Sequence, residues 1–195
     1  FFRQRLQEFE QVIHLSVSDK VSTGYQNACA ATRLLEDEGL GGRVSVLDSQ
    51  HLSTGLGHLV LHAVKLLREG ADAGEIYAAL LEYRSRISTT FMADSADYLY
   101  RSGKVNKSTM AFCSTFKVHP VLEMRNGEIR LKSFTVGSYG FAARRYVSSR
   151  LRRLKGVCDD LLFITHAGCT TADVRLIREC AEKRGFFKSI VVTNA

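Results

Sequence analysis

The sequence carries one proline in 195 residues and has no proline-rich linker, low-complexity stretch or internal repeat. It has no run of about 18 apolar residues, so no membrane-spanning helix is predicted. No charged segment followed by an apolar core opens it, so no secretory signal is read. Its cysteines, Cys29, Cys113, Cys158, Cys169 and Cys180, are odd in number and never stand as C-x-x-C. That spacing argues against a disulfide framework or a zinc knuckle and predicts a reducing, cytoplasmic setting.

What is present is an ordinary globular mixture, 45% hydrophobic and 24% charged. The net charge of +7 suits an anionic partner: nucleic acid, a membrane surface or an acidic protein face.

Helix and strand patterns alternate in the first half. Phe2, Leu6 and Phe9 fall at helical spacing, followed by the strand "VIHLSVS", a helix to about Glu38 and the strand "RVSVLDS". A helix near 54–69 ends at Gly70, and Asp72 with Glu75 reads as a capping box opening the next helix. This alternation predicts a parallel α/β domain over 1–87. From 88 the texture changes. Short elements lead to a hairpin over 118–136 around Asn126-Gly127. A basic helix near 138–155 and a strand–helix–strand ending then complete a second α/β domain, 88–195.

Several patterns invite chemistry. His58 and His62 lie four apart, but the metalloprotease glutamate is missing, and a leucine stripe (Leu56, Leu59, Val60, Ala63, Leu67) assigns them to the solvent face. No metal is predicted there. "TGLG", Thr54 to Gly57, lies between strand and helix, where amides could bind an anion or the helix could pack closely. The basic helix carries Arg144, Arg145, Arg150, Arg152, Arg153 and Lys155 without interleaved aromatics, which disfavours nucleic acid. In "HLSVSDKVSTGYQNACAA" the hydroxyls Ser18, Ser22 and Thr23 precede a helix-favouring run. They either hold a carboxylate or phosphate or simply cap the helix.

Four stretches, in order, resemble the DegV family. "VSDKVSTGYQNA" resembles its I-S-S-x-L-S-G-T-Y-Q-S-A, and "VSVLDSQHLSTGLGHLV" its V-x-V-I-D-S followed by S-x-G-x-G. "YLYRSGKV" resembles Y-L-x-x-G-G-R-I, and "FKVHPVLEMRNGEI" resembles L-N-I-K-P-I-L-x-x-x-D-G-x-I. The resemblance implies a two-domain α/β fold with a parallel, Rossmann-like first domain. It implies a cytoplasmic carrier, not an enzyme and without cofactor. The carrier would bind a long-chain fatty acid between its domains and present the carboxyl to a fatty acid kinase for acyl-phosphate formation. No nucleic acid is implied, and transient contact with a membrane surface is compatible with it. The carboxyl would meet Ser22, Thr23, Gly24 and Ser49. Asp48, Ser53, Gly55 and Gly57 would form the pocket loop, and Phe112, Phe116, Val121 and Leu122 the acyl pocket. Lys104, His119, Arg144 and Arg145 would face phosphate or partner.

The match has departures. Thr23 and Gly24 stand in swapped order, Lys104 replaces an arginine, His119 a lysine, and Gly137 an arginine. The family's first Asp-Ser strand and its last histidine- and glycine-rich loop are not found, so the first domain is expected to be short of strands. Two other readings remain open on the residues alone. One is a small-molecule α/β enzyme using Ser22, Asp48 and His51 or His166; the other is a nucleic-acid-binding module using the basic helix.

Overall fold

The computed structural model describes residues 1–101, 103, 106–152 and 156–194. The chain divides into two compact units, Phe1–Thr89 with Met124–Ile129, and Thr90–Glu123 with Arg130–Ala195. The segment that holds Asn126 and Gly127 belongs with the first unit.

The first unit contains α1 (Phe2–Glu8), β1 (Val12–Ser16), α2 (Gly24–Glu36), β2 (Val44–Asp48), α3 (Ser53–Arg68) and α4 (Ala73–Tyr83), then a 3-10 turn at Arg84–Arg86. The two strands pair in parallel from Val12 opposite Val44 to Ser16 opposite Asp48. Side chains alternate across a strand, so each face of this pair meets its own helices. Val12, Val44 and Val46 pack with Phe2, Leu6, Ala28 and Leu35 of α1 and α2. Ile13, Leu15 and Leu47 pack with Leu59, Ile76 and Leu80 of α3 and α4. The result is three layers, helices on both sides of a short parallel sheet. Leu47, Leu59 and Leu80 have no exposed surface, and truncating any of them to alanine costs about 2–5 kcal/mol.

The stripe on α3 runs differently from its sequence reading. Leu59 is buried, with Ala63 and Leu66 packed beside it, whereas Val60, Leu61, Val64 and Leu67 are exposed. His58 and His62 are half-buried, and His62 stacks on Tyr83 with ring centroids 4.1 Å apart. The inward set follows the 59–63–66 spacing, which brings 58 and 62 to the flank of the buried face instead of solvent.

The second unit contains β3 (Thr90–Met92), α5 (Asp97–Arg101), α6 (Lys107–Thr115), β4 (Val118–Arg125), β5 (Glu128–Val136), α7 (Tyr139–Leu151), β6 (Leu161–His166), α8 (Thr171–Glu182) and β7 (Ser189–Asn194). Strands β3, β4 and β5 form one sheet, with β3 antiparallel to β4, and β6 pairs with β7 in parallel. The turn between β4 and β5 places Asn126 and Gly127 at φ of 52° and 80°, as a two-residue hairpin requires. Among the described residues no helix is long and apolar enough to cross a membrane.

Candidate functional site

Two helices of the first unit start at the carboxyl ends of the two paired strands. Strand β1 ends at Ser16 and leads through the hydroxyl loop into α2; β2 ends at Asp48, opposite Ser16, and leads into α3. In parallel α/β sheets this edge is where ligands bind.

The two helix starts are alike in being open. Thr23, the N-cap of α2, makes no side-chain capping bond, and neither does Leu52 at the start of α3. Neither first turn carries an acid. By contrast, α4 and α8 are closed by capping boxes, Asp72 with Glu75 and Thr170 with Asp173. An uncapped first turn keeps its amides, and the positive end of the helix dipole, available to an anion.

The loop before α2 is held from below. Ser18 is buried; its amide donates to His51 O at 2.9 Å, and its hydroxyl donates to Gly127 O at 2.6 Å. Lys20 Nζ donates to Asn126 O at 3.0 Å. Asp48 Oδ1 accepts from the amides of Asp19 and Gln50 at 3.2 and 2.9 Å, so one carboxylate ties the two loops together. Above this base Ser22 is exposed. Its Oγ accepts the Gly24 amide at 3.2 Å, which leaves its proton free to donate outward. The first backbone bond of α2 is Asn27 N to Thr23 O, so the Tyr25 and Gln26 amides before it lack i−4 acceptors. Thr23 is exposed beside them. A Cβ on Gly24 would lie 3.4 and 3.5 Å from the hydroxyls of Ser16 and Ser22, so these two hydroxyls converge there.

The second loop is more inward than its sequence suggested. Ser49 is buried, and its hydroxyl donates to His51 O at 3.0 Å and accepts the His51 amide at 3.1 Å, so it has no donor left for a ligand. Gln50 and Ser53 adopt φ of 56° and 47°, left-handed conformations that cost a non-glycine residue energy and occur where a loop is held for a purpose. Ser53 is exposed at the mouth of α3, and Gly57 is half-buried one turn on. Gly55 is there for close approach: a Cβ would collide with the Thr89 hydroxyl and lie 2.8 Å from His51 Cβ.

His51 is buried. Its Nε2–H donates to Arg84 O at 2.9 Å, and its Nδ1 then accepts from the Thr89 hydroxyl at 3.0 Å. Burial, the largest cause, holds its pKa below the usual histidine value, against the Arg84 carbonyl bond and Asp48, which favour the charged form; the Arg84 guanidinium lowers it further. With both nitrogens engaged it is not a base for Ser22, so a triad of Ser22, Asp48 and His51 is not assembled.

The remaining predicted residues are dispersed. Val121 and Leu122 are buried, but as successive residues of β4 they face opposite sides of its sheet. Phe112 on α6 and Phe116 at its C-cap are exposed, with ring centroids 4.6 Å apart. They therefore do not line one interior pocket with Val121 and Leu122. His119 is buried, with its ring nitrogens 2.7 Å from Asp94 O and 3.0 Å from Gly137 O. Arg144 and Arg145 are exposed on α7. Lys104 lies outside the described residues. Sequence reading passed over Ser16, whose only signal is its place at the last position of β1, and Thr89 and Arg84, which carry no local pattern at all.

These features define an α/β protein whose first unit offers hydroxyl and amide donors at the carboxyl ends of parallel strands. The model of the family described as "Uncharacterised protein, DegV family" matches residues 1–158, and the chain belongs to that family. A DegV domain-containing protein of Caldanaerobacter subterraneus subsp. tengcongensis is 33% identical over 130 residues, 67% of this chain and 45% of that protein. One from Clostridium perfringens is 30% identical over 131 residues, 67% of this chain and 46% of that protein. The chain spans about half the length of these curated relatives. Among solved structures, "Fatty Acid Binding of a DegV family Protein from Thermus thermophilus" aligns at TM-score 0.79 and 25% identity, over 99% of this chain and 67% of that one. A DegV family protein from Eubacterium eligens loaded with heptadecanoic acid aligns at TM-score 0.82 and 17% identity, over 98% and 68%. The Streptococcus pneumoniae Fatty Acid Kinase (Fak) B3 protein loaded with linoleic acid aligns at TM-score 0.80 and 14% identity, over 99% and 68%. At these lower identities the likeness is one of fold.

Proposed function

We propose that this chain is the lipid-binding portion of a fatty acid carrier, holding the carboxylate of a long-chain fatty acid at the open starts of α2 and α3. The observation that carries this reading is the pair of uncapped helix N-termini at adjacent parallel strand ends, with the Ser22 hydroxyl free to donate. Charge-assisted hydrogen bonds at such a terminus offset the cost of removing a carboxylate from water. Each buried methylene of the tail adds about 0.8 kcal/mol. Fatty acids in the related Thermus and Eubacterium proteins support the ligand class, and the Fak B3 likeness supports presentation to a fatty acid kinase. Neutral hydroxyl and amide donors suit that role, because they hold the carboxylate without covalent chemistry and leave an oxygen to accept a phosphoryl group.

Native mass spectrometry of the full-length protein purified from a bacterial host tests this. A co-purifying long-chain acid is expected; protein that carries none and takes up none when it is added would overturn the reading.

A further inference from the structure

From Ile129 to Cys158 the sequence has no acidic residue and eight cations, Arg130, Lys132, Arg144, Arg145, Arg150, Arg152, Arg153 and Lys155. The two helices of the second unit that pack together treat their arginines differently. On α8, Arg175 pairs with Glu179 at 2.8 Å and Arg178 with Glu182 at 2.7 Å, each at i,i+4. On α7 and its C-cap, Arg144, Arg145 and Arg152 form no ion pair with any described residue. Together with Phe141 and Ser148 they line one open groove of about 360 Å³. Phe141 is 59% exposed although it is apolar. It is seated over Gly137, whose φ of 120° and bare Cα leave room for it; a Cβ there would lie 3.1 Å from the ring.

We propose that this face of α7 is a docking surface for an acidic protein segment that carries an apolar side chain. Three unneutralised guanidinium groups lining one concavity complement carboxylates, which they can grip two bonds at a time. An exposed aromatic at the same groove supplies the apolar contact that typically anchors such an interface. A membrane is the poorer occupant. A helix that lies in a lipid interface inserts its apolar face, and that of α7 is already committed to the interior through Ala142, Ala143 and Leu151. RNA is poorer too, since a single aromatic gives no platform for stacking successive bases. The surface stands independently of lipid binding, and no fatty acid enters its test.

The test is fluorescence anisotropy of the full-length protein with a labelled glutamate-rich peptide containing two leucines. Its glutamine counterpart, phosphatidylglycerol vesicles and polyuridylate serve as comparisons. The glutamate peptide should bind best and weaken as salt rises. Joint replacement of Arg144, Arg145 and Arg152 by alanine should weaken it on the order of tenfold or more, and Phe141→Ala several-fold. Joint replacement by lysine keeps the charge and the helix, and should give an intermediate loss because the forked geometry goes; it carries the test if the alanine variant does not fold. Equal binding of the peptide by the wild type and the arginine variants overturns the proposal. So does tighter binding of vesicles or polyuridylate that disappears in the same variants.

Discussion

The Ser18 hydroxyl donates to the carbonyl of Gly127 across 2.6 Å, joining residues 109 positions apart in the sequence. The bond fixes the floor of the hydroxyl loop to the tip of the β4–β5 turn, and both ends are demanding. Ser18 has no exposed surface, and Gly127 sits at φ of 80° with room for no Cβ, since one would lie 2.8 Å from Ser18 Oγ. Ser18→Ala should cost about 1–3 kcal/mol by leaving the carbonyl unsatisfied. Gly127→Ala should cost at least as much, because backbone strain and steric overlap add. Urea denaturation measures both. A change under about 0.5 kcal/mol in each would mean that the loop does not rest on the hairpin.

Gly55→Ala should destabilise the first unit by about 1–3 kcal/mol, because the new methyl meets the Thr89 hydroxyl and His51 at once. Pairing it with Thr89→Ala should recover part of the loss, since one of the two obstacles is removed. If the double variant is as unstable as the sum of the two singles, the contact is not the cause.

Acid should loosen the first unit through its histidines. Burial holds the pKa of His51, His58, His62 and His14 below the ordinary value in the folded state. Below about pH 6.5 the unfolded chain therefore binds more protons than the folded one, and stability falls as pH drops from there toward the folded values. Above that range their contribution is fully present. His51→Gln should flatten the stability–pH slope below about pH 6.5 without abolishing it, because three other histidines remain. An unchanged slope would remove His51 from the account.

Much of the fold was legible because its signals are local. The alternation of apolar residues gave β1 and β2, D-A-G-E gave the cap of α4, and Asn-Gly gave the turn. The faces of α3 were harder. Both sides of that helix are apolar, so periodicity could not say that Val60 and Val64 face out while His62 packs on Tyr83. The site was legible in part. Ser22 and Thr23 were marked by their place before a helix, but the inward turn of Ser49 depends on His51, and the engagement of His51 depends on Thr89 and Arg84. Those partners come from 33 and 38 residues away and leave no trace in the local pattern.

The affinity of a long-chain fatty acid for Ser22→Ala, beside Thr23→Ala and the wild type, tests the carboxylate site most directly. A hydroxyl bonded to a charged acceptor contributes roughly 1.5–3 kcal/mol, so Ser22→Ala should bind about tenfold to a hundredfold more weakly. Thr23→Ala should lose less. Thermal stability should change little in either variant, because the Ser22 side chain accepts one local bond, from the Gly24 amide, and Thr23 makes no capping bond. Wild-type affinity in Ser22→Ala, with a lowered melting temperature, would contradict the account and leave Ser22 as a brace for the start of α2.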